Sequence, residues 1–184
     1  YSFAAAARAL PDVPLIHVVR DGRDVVTSLS KRGFNLFTAA SRWLYDTTAG
    51  LSVRGHPGYI EVRYEDLVGD PDTTLRRIFA HLGVDPGVDV VNAPGRASYD
   101  EDWEQRDAPR AWEQTPAQPV SPASVGRYKE GLGRDELDTI LRVALTSAGA
   151  RRLGCRRLTV RDGLEALGYA DVAPPRAPGP RRRL

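Results

Sequence analysis

Apolar side chains first gather at Leu15-Ile16-His17-Val18-Val19, a β-branched run preceded by Pro11 and Pro14 and broken by Arg20-Asp21-Gly22-Arg23. A run this short, bounded by turn residues, predicts a buried strand. Val25, Val26 and Leu29 follow at helical spacing, with Asp21 and Asp24 near the start, where a carboxylate suits the helix dipole. Leu36, Ala40, Trp43, Leu44, Thr47 and Leu51 then recur every three or four residues. They predict a longer helix ending before Gly55-His56-Pro57-Gly58. From Tyr59 to Arg63, Ile60 and Val62 alternate with Glu61 and Arg63, which predicts a second strand. Asp70-Pro71 opens a further helix whose buried face is Leu75, Ile78, Phe79 and Leu82, with Gly83 as its stop. The order strand, helix, helix, strand, helix predicts an α/β domain with both strands in one parallel sheet.

Between about Asn92 and Pro122 the periodicity dissolves into Pro, Ala, Asp, Glu and Gln with isolated Tyr99, Trp103 and Trp112, the pattern of a long loop or lid. Leu137, Ile140, Leu141, Ala144, Leu145 and Ala148 predict one continuous helix, and Val160, Leu164 and Leu167 a short last one. The stretch from 173 to 184 is Pro- and Arg-rich with almost nothing apolar to bury, so it is expected to be a disordered tail beyond a single domain of residues 1–172.

Composition narrows the class. With 184 residues, 41% apolar and 27% charged, the chain suits one soluble core of moderate size. No apolar run approaches the roughly 18 residues of a membrane span, and Tyr1 to Leu10 lack the pattern of a signal peptide. Cys155 is the only cysteine, which rules out an intrachain disulfide and a cysteine-rich metal site and favours a reducing, cytoplasmic location. The 26 basic residues against 24 acidic ones give no field that would attract nucleic acid. Methionine is absent and the chain opens on Tyr1, so the sequence is expected to be an N-terminally cut fragment or a processed chain.

Candidate chemistry concentrates after the first strand. Arg20 ends that strand and Ser28 lies eight positions on, in the second turn of the helix. An arginine fork, a hydroxyl and unpaired N–H groups at a helix N-terminus, beyond the carboxyl end of a parallel strand, suit a phosphate, and Gly22 would let the backbone approach it. The competing reading pairs Arg20 and Arg23 with Asp21 and Asp24 at a solvated turn.

The segment Leu15-Ile16-His17-Val18-Val19-Arg20-Asp21-Gly22-Arg23-Asp24-Val25-Val26-Thr27-Ser28-Leu29 resembles the strand-turn-helix of sulfotransferases that use 3′-phosphoadenosine 5′-phosphosulfate, PAPS. Val62-Arg63-Tyr64-Glu65-Asp66-Leu67-Val68-Gly69-Asp70-Pro71 is similar to that family's Tyr-Glu-Asp-Leu strand end, and Ser124-Val125-Gly126-Arg127-Tyr128-Lys129 to its late Val-Gly-x-Trp/Tyr-Lys element. Three motifs in this order are specific together, and the similarity is strongest to the bacterial branch. The resemblance implies a P-loop-like α/β fold with a three-layer, parallel-sheet core. It also implies sulfuryl transfer from PAPS, without metal, to a hydroxyl or amine of a small-molecule, lipid or carbohydrate acceptor. Arg20 and Ser28 would hold the 3′-phosphate and Tyr64 the adenine. Ser124, Arg127 and Lys129 would stand beside the 3′-phosphate.

Two departures bear on the transfer. Ser121-Pro122-Ala123-Ser124 replaces the Arg-Lys-Gly triplet of many relatives, so Arg127 or Lys129 would supply that charge. The family's glycine-rich phosphosulfate loop and its general base lie upstream of the strand at Leu15, so the 184 residues alone are expected to bind rather than to transfer. A nucleotide-binding module without catalysis and an unrelated P-loop-like phosphotransferase are the alternatives. His17, inside an apolar strand, reads as structural rather than catalytic. His56 and His81 read as surface residues and Trp43 as core. Trp103 and Trp112 read as loop anchors, and Arg181-Arg182-Arg183 as a solvated tail.

Overall fold

The computed structural model describes residues 3–85 and 122–169. The chain divides into two compact units, one of Tyr1–Tyr64 with Ala123–Leu184 and the other of Glu65–Pro122. The expected loop of residues 92–122, apart from Pro122, and the expected tail from 173 lie outside the described residues.

In the first unit, α1 (Phe3–Ala9) precedes β1 (Leu15–Val19), α2 (Gly22–Ser30), α3 (Leu36–Leu51) and β2 (Tyr59–Arg63). The two strands pair directly and in parallel, from Leu15 opposite Tyr59 to Val19 opposite Arg63, as the α/β pattern required. Asp21 caps α2 by accepting from the N–H of Arg23, and Asn35 caps α3 by accepting from that of Thr38 at 2.8 Å. Val19, Val26, Ala40, Trp43 and Leu44 form the core with residues from the chain's later part, so the stripe on α3 buries as its spacing predicts. The first strand is less enclosed than its composition suggests, because Val18 stays 55% exposed. It has one paired neighbour among the described residues, so one face and one edge lack the cover that an all-apolar run anticipates.

The later part of this unit comprises α6 (Tyr128–Gly131), α7 (Arg134–Leu141), α8 (Ser147–Arg152) and α9 (Val160–Ala166). The single helix expected through Leu137 and Ala148 is broken. Ala144 instead bridges antiparallel to Thr159, Leu145 N–H donates to Leu158 O at 2.9 Å, and Val160 N–H to Val143 O at 2.9 Å. An extended segment buries Val143 and Leu145 together on one side, which residues two apart on a helix cannot do. Thr146 then restarts the helix by accepting from the N–H of Gly149. On α9, Val160 and Leu164, with Leu167 just beyond, bury as expected.

The second unit carries α4 (Tyr64–Gly69), which starts at the unit boundary, and α5 (Pro71–Leu82). Asp70 caps α5 with Pro71 in its first turn, and Gly83 closes it at φ 67°, where a side chain would be strained. Its apolar face is covered less than predicted. Leu75, Ile78 and Phe79 are half-buried, and Leu82 is 37% exposed.

Candidate anion-binding site

The site grows from the end of β1. Arg20 follows Val19 where the strand leaves the sheet, and its backbone carbonyl accepts from Trp43 Nε1 at 3.0 Å. Trp43 reaches that carbonyl by crossing the start of α2 at Gly22, where a Cβ would stand 2.6 Å from the indole ring. Gly22 is therefore required by the close approach of Trp43 to the helix. The turn, solvated in the competing reading, is buried. Asp21 holds the Arg23 guanidinium at 2.7 Å with both side chains under a tenth exposed, and Arg23 lies 4.1 Å over the ring of Tyr128.

Asp24, only 2% exposed, makes no ion pair among the described residues. It accepts from the backbone N–H of Gly126 at 2.7 Å and of Tyr128 at 2.9 Å. A buried carboxylate is costly unless hydrogen-bonded, and these two donors supply what burial demands. Gly126 takes φ 75°, the left-handed turn that a side chain would disfavour, and the chain turns here with its N–H on Asp24. The segment Ser124–Lys129 is thereby fastened to α2.

That fastening brings Ser124 to Arg20. The Arg20 Nη2 donates to Ser124 O at 2.7 Å, and Ser124 Oγ and Tyr64 Oη lie 2.7 Å apart. The Arg20 guanidinium stacks 4.5 Å from the centre of the Tyr64 ring. Arg20, Tyr64 and Ser124 thus form one connected cluster from three distant parts of the sequence. Arg127 is exposed and tied back to Ala123 O through its Nε at 2.8 Å. Lys129, on α6, is exposed, and Ser28, half-buried on α2, makes no side-chain hydrogen bond among the described residues. The cluster does not include either of them.

Two features of Arg20 matter chemically. Among the described residues no carboxylate pairs with it, since Asp21 is taken by Arg23 and Asp24 by backbone N–H groups. Its Nε is enclosed and has no hydrogen-bond partner. A half-buried cation with one edge sealed and no counter-ion gains more from an incoming anion than a hydrated surface arginine does.

His17 stands apart from this cluster. Its Nδ1 lies 2.7 Å from Tyr59 Oη, the Tyr59 hydroxyl donates to Glu61 Oε2 at 3.1 Å, and Arg54 Nη2 donates to the same oxygen at 2.6 Å. A Cβ at Gly50 would collide with the imidazole. Burial lowers the His17 pKa below its ordinary value, and burial followed by the Glu61 charge raises that of Tyr59. The structural reading of His17 fits this setting. His56 is half-buried rather than a surface group, with Nδ1 accepting from Gly58 N–H at 3.1 Å.

Residues 1–87 match the family model described as "Sulfotransferase family". Over this segment the chain is similar to the sulfotransferase family. The match covers Arg20, Ser28 and Tyr64, and the P-loop-like α/β fold that this similarity implies is in keeping with the parallel pair seen here. Ser124 to Lys129 lie outside the matched sulfotransferase segment, so their place in the site rests on the contacts to Asp24, Arg20 and Tyr64. No curated protein and no solved structure gives a significant match.

Spacing pointed to Arg20, and the family resemblance to Tyr64 and Ser124. Both missed the residues that hold them together, Asp24 and Trp43. An aspartate in the first turn of a helix is explained well enough by the helix dipole. A tryptophan on an apolar stripe is explained by the core.

Proposed function

We propose that this sulfotransferase-family chain binds PAPS and serves sulfuryl transfer to a hydroxyl or amine of a small-molecule, lipid or carbohydrate acceptor. Arg20 is the principal ligand of the 3′-phosphate, with Ser28, Ser124, Arg127 and Lys129 around it and Tyr64 toward the adenine. The observation that carries this reading is the uncompensated Arg20 guanidinium, stacked on Tyr64 and anchored to Ser124 with an unpartnered, enclosed Nε. That donor set, cationic and without a competing carboxylate, fits a phosphate.

PAPS would supply the activated sulfuryl group on its phosphosulfate anhydride. The residues described here bind and orient. Their grip on a 3′-phosphate is felt equally before and during transfer, so it sets affinity and placement rather than the height of the chemical barrier. Within this arrangement Tyr64 serves twice, as the platform for Arg20 and as the hydrogen-bond partner that keeps Ser124 in place.

The test is titration of the chain with adenosine 3′,5′-bisphosphate and with adenosine 5′-phosphate. The bisphosphate is expected to bind more tightly, and Arg20→Ala is expected to remove most of the difference. A charged hydrogen bond is worth about 1.5–3 kcal/mol, so the loss should be roughly tenfold or more. Equal affinity for the two nucleotides, or an unchanged preference in a folded Arg20→Ala protein, would refute the assignment.

A further inference from the structure

A second arginine at the same end of the sheet is uncompensated in the same way. Arg63 is the last residue of β2 and pairs in register with Val19, the residue before Arg20. Its guanidinium stacks 4.2 Å from the centre of the Tyr169 ring, a stack separate from that of Arg20 on Tyr64. Tyr169 is itself buried in the core, so it is a fixed platform. The Arg63 Nε is enclosed and has no hydrogen-bond partner.

The acceptors that would ordinarily satisfy such a group are committed elsewhere. Glu61, two residues back on the strand, accepts from Arg54 at 2.6 Å and from Tyr59 at 3.1 Å. The Ala166 carbonyl at the end of α9 also accepts from Arg54, at 3.2 and 3.3 Å. Among the described residues no carboxylate or carbonyl pairs with Arg63. Gly168, at φ 74°, has no side chain, and a Cβ there would come within 3.8 Å of Arg63 Nη1. Buried polar groups without partners are few in native proteins and call for an explanation. Here two of them are arginine Nε atoms one register step apart, where the parallel strands end and α/β proteins place their ligands.

We propose that Arg63 is a second oxyanion-binding group, taking a sulfate, phosphate or similarly shaped anionic group of a ligand through its terminal amino groups while Tyr169 holds the guanidinium plane. The anionic group comes either from the donor nucleotide or from an acidic acceptor. The assignment stands independently of the role given to Arg20, because the two guanidinium groups sit on different platforms.

The test uses the full chain labelled with nitrogen-15 in arginine, titrated with sodium sulfate and, at matched ionic strength, sodium chloride. The Nε–H resonance of Arg63 is assigned by its loss in Arg63→Lys, which preserves the charge. Sulfate is expected to shift it saturably, chloride is not, and Arg20→Gln should leave the response intact. Sulfate affinity at this site should fall roughly tenfold or more in Arg63→Gln, as loss of a charged hydrogen-bonding fork implies. A shift that is linear, equal in chloride or abolished by Arg20→Gln would overturn the proposal. Repeating the titration with saturating adenosine 3′,5′-bisphosphate separates the sources. Blocked sulfate binding identifies the donor nucleotide, and unimpaired binding identifies an acceptor group.

Discussion

Asp24 and Gly126, 102 positions apart in the chain, are joined by a 2.7 Å hydrogen bond from the Gly126 N–H to a nearly inaccessible carboxylate. Together with the bond from Tyr128 N–H, this contact holds the third motif against the first, and Ser124 and Arg20 meet because of it.

Replacing Asp24 by Ala leaves two backbone N–H groups without their acceptor. The cost should be about 2–4 kcal/mol of unfolding free energy, read from urea denaturation. Nucleotide affinity should fall as well, since Ser124 loses its support. A destabilisation below about 0.5 kcal/mol would show that the segment from 124 to 129 is held in some other way.

Gly22→Ala places a methyl group into the Trp43 indole, 2.6 Å away, and should destabilise by about 1–3 kcal/mol. Trp43→Leu relieves that collision while losing the bond to the Arg20 carbonyl. The double variant should therefore be more stable than the sum of the two single effects predicts. Simple additivity in thermal unfolding would argue against the contact.

Tyr64→Phe keeps the platform under Arg20 and loses only the hydroxyl contact with Ser124, whereas Tyr64→Leu loses both. Cation–π contacts contribute about 0.5–2 kcal/mol, so the Leu variant should bind adenosine 3′,5′-bisphosphate several-fold more weakly than the Phe variant. Equal affinities by calorimetry would remove the stacking from the account.

His17 makes stability depend on pH. Burial lowers its folded pKa below the ordinary 6.5, so near that pH the unfolded chain binds more protons than the folded one. Its neutral form is accommodated at no cost above about pH 6.5, and stability is lost as the pH falls from there toward the folded pKa. Two charges bear on the ring: Glu61 favours the imidazolium and Arg54 opposes it. Denaturation midpoints measured between about pH 5 and 7 should drop toward the acid side in the native chain and drop less in His17→Gln. Parallel profiles would mean that another group carries the dependence.

Local pattern alone determined β1, α2, α3, β2 and α5, each within a residue or two, because strand and helix periodicities and the caps at Asp21 and Asp70 act over short stretches of chain. The motif residues Arg20 and Tyr64 were also legible, since their motifs resemble a family whose model matches residues 1–87, whereas Ser124, outside that match, was named by motif resemblance alone. Other matters required the tertiary structure. The apolar positions at 137–148 suited one helix equally well, until pairing of Ala144 with Thr159 made an extended crossing bury Val143 and Leu145 together. Asp24 looked like a helix-dipole residue because its partners are backbone N–H groups 102 and 104 positions away, which leave no mark in side-chain pattern. Whether Arg20 and Arg63 are free or paired depended on which acids Arg23 and Arg54 had already taken, and that allocation is made by three-dimensional packing.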